Sequence, residues 1–156
     1  MPTNVRPIPD GYHSVTPYLV VDDAARAIEF YRSVFGATEI TRFTQPDGRI
    51  GHAELRIGDS VVMLADAAPD IGARSPRSIG GTPVTISVYV EDADAVVQRA
   101  LDGGAQLVRP VENQFYGDRA GGIVDPFGHS WHVATHVEDV PEDELRRRAA
   151  EQHLGA

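Results

Sequence analysis

Apolar and polar positions along this chain alternate over short runs, then recur at helical spacing, and the cycle is completed twice. His13–Val21 alternates as a strand. Asp22 or Asp23 then offers a side-chain cap to a helix whose apolar positions are Ala24, Ala27, Ile28, Tyr31 and Phe35, and Gly36 supplies its left-handed stop. Three strands are predicted next, near Thr38–Thr44, Gly51–Ile57 and Ser60–Asp66. Pro46-Asp47-Gly48 and Gly58-Asp59 are the turns between them. The second cycle has a strand over Val84–Val90, a helix over Ala93–Asp102 ended by Gly103-Gly104, and strands near Gln106–Val111, Gly117–Val124 and Ser130–Thr135. The repeat shows in the residues themselves. Tyr18-Leu19-Val20-Val21-Asp22-Asp23-Ala24-Ala25 returns as Val88-Tyr89-Val90-Glu91-Asp92-Ala93-Asp94-Ala95, and Gly36-Ala37 returns as Gly104-Ala105.

Two β-α-β-β-β modules therefore follow, over 13–66 and 83–137, within one α+β domain spanning 13–139. Residues 1–12 read as an extended arm. Residues 67–82, rich in Pro, Gly, Ser and Ala, read as a linker. Residues 140–156 read as a polar helical tail with Pro141 in its first turn. A sheet with one face under its helix leaves the other face bare, and two such bare faces are expected to line a shared concavity of the kind that takes small molecules.

Composition narrows the function classes. A net charge of −9 disfavours phosphate backbones and anionic membranes, and the run Arg146-Arg147-Arg148 stands beside Glu142, Asp143 and Glu144, as on a solvated helix face. No nucleic-acid or membrane partner is expected. The chain has no cysteine, which removes disulfides, thiolate catalysis and zinc–thiolate sites and fits a cytoplasmic location. No apolar run reaches the ~18–20 residues of a membrane helix. Met1–Gly11 holds three prolines and no apolar stretch, unlike a secretory signal.

Four stretches carry a resemblance: Thr16-Pro17-Tyr18-Leu19-Val20-Val21-Asp22, Phe30-Tyr31-Arg32-Ser33-Val34-Phe35-Gly36-Ala37, His52-Ala53-Glu54-Leu55-Arg56-Ile57-Gly58-Asp59 and Asp125-Pro126-Phe127-Gly128-His129. They resemble the vicinal oxygen chelate superfamily of glyoxalases, bleomycin- and fosfomycin-resistance proteins and extradiol dioxygenases. The ending Trp131-His132-Val133-Ala134-Thr135-His136 with Glu138-Asp139 is similar to its PhnB-like branch. The resemblance implies the glyoxalase/bleomycin-resistance fold and a homodimer. It also implies, in the metal enzymes, one ligand from the first and one from the fourth strand of each module. Those positions fall here at Thr16, Met63, Thr85 and His132. Only His132 suits a divalent ion, because such sites need several imidazole or carboxylate donors. No cofactor is expected.

Strand parity selects other candidates. Ala53, Leu55 and Ile57 should face the helix, which turns His52, Glu54 and Arg56 to the open face. The same parity exposes Thr16, Tyr18 and Val20, then Thr85, Ser87 and Tyr89, then Ser130, His132 and Ala134, with Trp131 and Val133 in the core. His52, Glu54 and His132 could act as an acid/base set, hold a displaced metal, or only bond one another in a wet pocket. Phe115, Tyr116 and Arg119 lie in a loop suited to clamp a planar or anionic ligand, or else Phe115 fills core and Asp118 pairs near Arg119. His13 and His129 read as surface and turn residues, and His136 as a contact for Glu138 or solvent. Gly80-Gly81 and Gly121-Gly122 read as bulges or hinges.

Two functions stay open. One is a protein that binds a small organic molecule, aromatic ones included, against Tyr18, Met63, Tyr89 and Phe115. The other is a lyase-, isomerase- or transferase-type enzyme using His52, Glu54 and His132. Metal-dependent glyoxalase or dioxygenase chemistry ranks last, because three ligand positions hold unsuitable side chains.

Overall fold

The computed structural model describes residues 4–154; residues 1–3 of the expected arm and 155–156 of the expected tail lie outside them. The chain divides into two compact units, Met1–Thr82 and Pro83–Ala156. Each holds a four-stranded sheet and a helix packed on it, the α+β arrangement read from the repeat.

In the first unit, β1 (Tyr18–Val21), α1 (Ala24–Phe35), β2 (Thr38–Thr44), β3 (Ile50–Ile57) and β4 (Ser60–Asp66) form a sheet in the order β1-β4-β3-β2. β1 and β4 run parallel, and the other pairs are antiparallel. β1 is shorter than the predicted His13–Val21. Pro17 has no N–H to give to a ladder, although its carbonyl still accepts from Met63 N at 2.9 Å. Helix α1 begins where Asp23 accepts from Arg26 N at 3.1 Å and ends at Gly36, whose φ of 67° a residue with a Cβ resists. Its inner face buries Ala24, Ala27, Ile28, Tyr31 and Val34 against Leu55, Leu64 and Val21. Full burial of each large member contributes about 1.5–3 kcal/mol.

The second unit repeats the order with β5 (Thr85–Tyr89), α3 (Ala93–Asp102), β6 (Gln106–Asn113), β7 (Asp118–Val124) and β8 (Ser130–His136), arranged β5-β8-β7-β6. Trp131, Val133 and Ile123 fill the space under α3. Asp125 builds the turn into β8. It accepts from the backbone of Phe127 and His129 and from Trp131 Nε1 at 2.9 Å, so a buried carboxylate orders the loop and orients the indole.

Two joints tie helix to sheet in the same way. Asp66 accepts from Ala24 N at 2.8 Å and from Ile50 N at 2.7 Å. In the second unit Thr135 Oγ1 accepts from Ala93 N at 2.9 Å and donates to Val90 O at 2.9 Å.

The linker differs from expectation. It contains a 3-10 turn over Pro69–Ile71, a one-turn helix α2 (Pro76–Ile79), and a bridge between Ala68 and Ala73. Ser75 caps α2 and Pro76 opens it, a start signal outweighed in the sequence by the surrounding glycines. The tail forms helix α4 (Glu142–Leu154). Arg148 fastens it, donating to Phe115 O at 3.1 Å and to Glu138 at 2.7 and 3.0 Å.

Candidate functional site

Burial along β3 follows the predicted parity, with Ala53, Leu55 and Ile57 inside and His52, Glu54 and Arg56 on the open face. A continuous hydrogen-bonded line crosses that face. Tyr18 Oη lies 2.9 Å from His52 Nδ1, His52 Nε2 lies 3.3 Å from Glu54 Oε1, and Tyr12 Oη donates to Glu54 Oε2 at 2.5 Å. A carboxylate only accepts, so His52 carries its proton on Nε2. In the neutral ring Nδ1 then accepts from the Tyr18 hydroxyl. The electrostatics agree with this order. The Tyr12 phenol is pushed above its ordinary range mainly by its hydrogen bond to Glu54, and the Tyr18 phenol by burial and then by the Glu54 charge. Both tyrosines are held as neutral donors.

Rings flank the line. Phe43 stacks on His52 with centroids 6.2 Å apart, and Tyr18 tilts against it at 5.5 Å. Phe43 and Tyr18 are exposed. Met63 stands between Tyr18 and Glu54 in the strand register. A cavity of about 560 Å³ opens beside Tyr18 and Val20 and is lined also by Ile50, Gly51, Ala65 and Ile71. Arg56 donates to Gly11 O at 3.2 Å, so it and Tyr12 both hold the arm against β3.

On the second unit's open face, Tyr89 Oη donates to Asp118 Oδ2 at 2.8 Å, and Asp118 Oδ1 lies 2.8 Å from His136 Nδ1. His136 Nε2 faces Asp139 Oδ1 at 2.7 Å. The contacts of His136 are thus Asp118 and Asp139, with the ring half exposed to solvent, while Glu138, the other contact expected for it, is taken by Arg148. Arg119 departs from the ligand role read for it. It lies on the helix side of β7, with Nε at 2.6 Å and Nη2 at 2.9 Å from the Asp94 carboxylate on α3. Strand parity puts it there, since Asp118 and Ala120 take the open side. Phe115 packs edge-on to Tyr116 at 5.3 Å, half-buried, in a loop whose carbonyl Arg148 holds.

The trio His52, Glu54 and His132 is not assembled within either unit. His52 and Glu54 meet in the first, while His132 stands on β8 opposite Ser87 and Gly122 in the second. The family's metal positions show the same strand offset in both units. Thr16 precedes β1 and donates to His13 O at 3.5 Å, whereas Tyr18 is the residue opposite Met63. Thr85 pairs with Ser130, and Ser87 pairs with His132. A hydroxyl, a thioether, a second hydroxyl and one imidazole do not fit a resident divalent ion. Among the described residues no three His, Asp or Glu side chains converge as ligands.

Sequence reasoning passed over Phe43 and Arg109, gave Tyr12 no partner, and set Asp118 near Arg119, whereas Asp118 is held by Tyr89 and His136. The alternation of β2 could have placed Phe43 across the hairpin from His52. Tyr12 lies in an arm without periodicity, and nothing local announces its partner.

The sequence profile of the Glyoxalase/Bleomycin resistance protein/Dioxygenase superfamily matches residues 11–133. The uncharacterized protein Rv0887c of Mycobacterium tuberculosis is 46% identical over 158 aligned positions, covering 99% of this chain and 89% of its own length. The crystal structure of TioX from Micromonospora sp. ML1 is similar at 28% identity with a TM-score of 0.62, covering 80% of this chain and 99% of that one. The X-ray structure of the Arabidopsis thaliana gene product At5g48480 is similar at 29% identity with a TM-score of 0.63, covering 78% of this chain and 98% of that one. Among the described residues no helix is long and apolar enough to cross a membrane.

Proposed function

We propose that this chain, which belongs to the Glyoxalase/Bleomycin resistance protein/Dioxygenase superfamily, binds a small planar organic molecule on the open sheet face of its first module without a resident metal. The observation that carries this reading is the line Tyr18–His52–Glu54–Tyr12 set among the rings of Tyr18, His52 and Phe43. A mostly apolar surface with a few fixed polar groups is what orients a small ligand. The exposed rings of Tyr18 and Phe43 offer it stacking area. Pairing through the edge strands β2 and β6 gives a physical motive for a homodimer. A cysteine-free chain suits the cytoplasm.

The test is an aromatic fragment panel titrated against ¹³C/¹⁵N-labelled protein. Fragments that bind should shift the His52 and Tyr18 ring signals, and Phe43→Ala and Tyr18→Phe should each weaken them at least about tenfold. Binders that leave those signals unmoved would sink the reading.

A second reading rests on one specific geometry. Hydroxyl, imidazole and carboxylate stand in order at Tyr18, His52 and Glu54, the sequence of donor, base and orienting group used in proton transfer. In a lyase- or isomerase-type reaction His52 would take the proton and Glu54 would stabilise the imidazolium. Glu54→Gln would then abolish turnover while leaving ligand binding within a few fold.

A further inference from the structure

One row of side chains differs in charge between the two open faces. From edge to edge, the first sheet sets Thr41, Glu54, Met63 and Tyr18 in register. The second sheet sets Arg109, Gly122, His132 and Ser87 there. These are repeat equivalents, 68 or 69 positions apart. The first row carries a carboxylate where the second carries a glycine, and a guanidinium is laid over that glycine. A Cβ built on Gly122 would lie 3.4 Å from Arg109 Nε and 3.7 Å from Arg109 Cβ.

The backbone is shaped to allow this. β6 leaves regular pairing on both sides of Arg109, between Leu107 and Arg109 and again between Arg109 and Glu112. Such bulges re-aim a side chain. Gly121 lets the bulged strand close down, since a Cβ there would fall 2.9 Å from Val111 Cγ2 and 3.0 Å from Arg109 O. The glycine pair that the sequence offered only as a bulge or hinge is thus the seat of an arginine.

Arg109 forms no ion pair among the described residues, whereas Arg119 and Arg148 in the same unit are held by carboxylates. Its charge reaches Tyr116, where it opposes the upward push of burial and of Asp118 on the phenol. Asp118 itself is engaged by Tyr89 and His136, and it lies four residues along β7 from Gly122, about 13 Å at strand rise.

We infer that the row Arg109–Gly122–His132–Ser87 is a seat for the carboxylate of a small organic acid. Arg109 presents its planar fork to the two oxygens, and the His132 ring and the Ser87 hydroxyl flank them. This row and the line proposed on the first module are made of different residues and report through different signals.

The test uses the full chain, labelled on Arg, His and Tyr, with benzoate, its neutral counterpart benzamide, and inorganic phosphate as probes. Benzoate should shift the Arg109 Nε and His132 signals saturably and bind at least about tenfold tighter than benzamide. Arg109→Met should remove that preference, Arg109→Lys should keep part of it, and Gly122→Val should displace the fork with the same loss. Arg109 is exposed, so melting of the Met variant should stay near the parent value and serve as the folding control. Equal binding of benzoate and benzamide, or benzoate binding untouched by Arg109→Met, would overturn the inference. So would phosphate binding the row as tightly as benzoate, because the seat would then take any free anion and not a carboxylic acid. Shifts confined to His52 and Tyr18 would also overturn it while supporting the first site.

Discussion

His136 Nδ1 stands 2.8 Å from Asp118 Oδ1, and the opposite ring nitrogen faces Asp139 at 2.7 Å, so both nitrogens of one imidazole are offered to carboxylates. Two acceptors can be satisfied together only when both nitrogens carry protons, so the geometry selects the imidazolium. The His136 pKa is accordingly raised, first by the Asp118 hydrogen bond and then by that to Asp139.

Stability should therefore depend on pH in a definite direction. A pKa raised above the unfolded value of about 6.5 adds stability that is complete below that value and fades as pH rises through the folded one. Urea unfolding between pH 5.5 and 8.5 should show a decline that His136→Gln abolishes. The ring is half exposed, so solvent keeps the effect small. A parent and a His136→Gln variant with the same pH slope would contradict this.

The two helix joints predict unequal costs. Asp66→Ala leaves the amides of Ala24 and Ile50 without their carboxylate, and each such loss costs about 1–3 kcal/mol. Thr135→Val removes the acceptor of Ala93 N and the donor to Val90 O, two neutral hydrogen bonds of about 1 kcal/mol each, and should cost less because bonds to the Asp66 carboxylate are the stronger kind. Chemical denaturation of both variants checks the order, and equal losses would argue against it.

Gly117→Ala should be among the most damaging surface-loop changes in the second unit. The residue has a φ of 100°, and a Cβ there would lie 2.2 Å from Glu138 O. The chain from Val137 would have to leave Gly117 O, its acceptor for two amides. Backbone strain of this kind costs about 1–3 kcal/mol before the clash is counted. Hydrogen exchange at Val137 and Glu138 should accelerate well beyond that at β8.

Metal analysis of protein purified without chelator should give well below one divalent ion per chain. The family's ligand positions here are Thr16, Met63, Thr85 and His132, with a single imidazole among them. Addition of Zn²⁺ or Mn²⁺ should leave melting unchanged in the micromolar range. A stoichiometric ion would show that the donor argument fails.

The layout was open to reading because its causes are local. Helix α1 is announced by Asp23, its apolar stripe and Gly36, all within one short segment. The strand alternation of β3 decided that His52, Glu54 and Arg56 share a face. The repeat carried the same reading to the second half.

Chain order alone determined two β-α-β-β-β modules, their core faces and their membership of one family, since periodicity and caps act over a few residues. Tertiary structure decided the partners: Tyr12 for Glu54, Asp94 for Arg119, Asp118 for His136, and Arg109 over Gly122. Those matches join residues up to 42 positions apart. They depend on strand register, on a bulge and on where an arm or a helix returns, none of which a local pattern encodes.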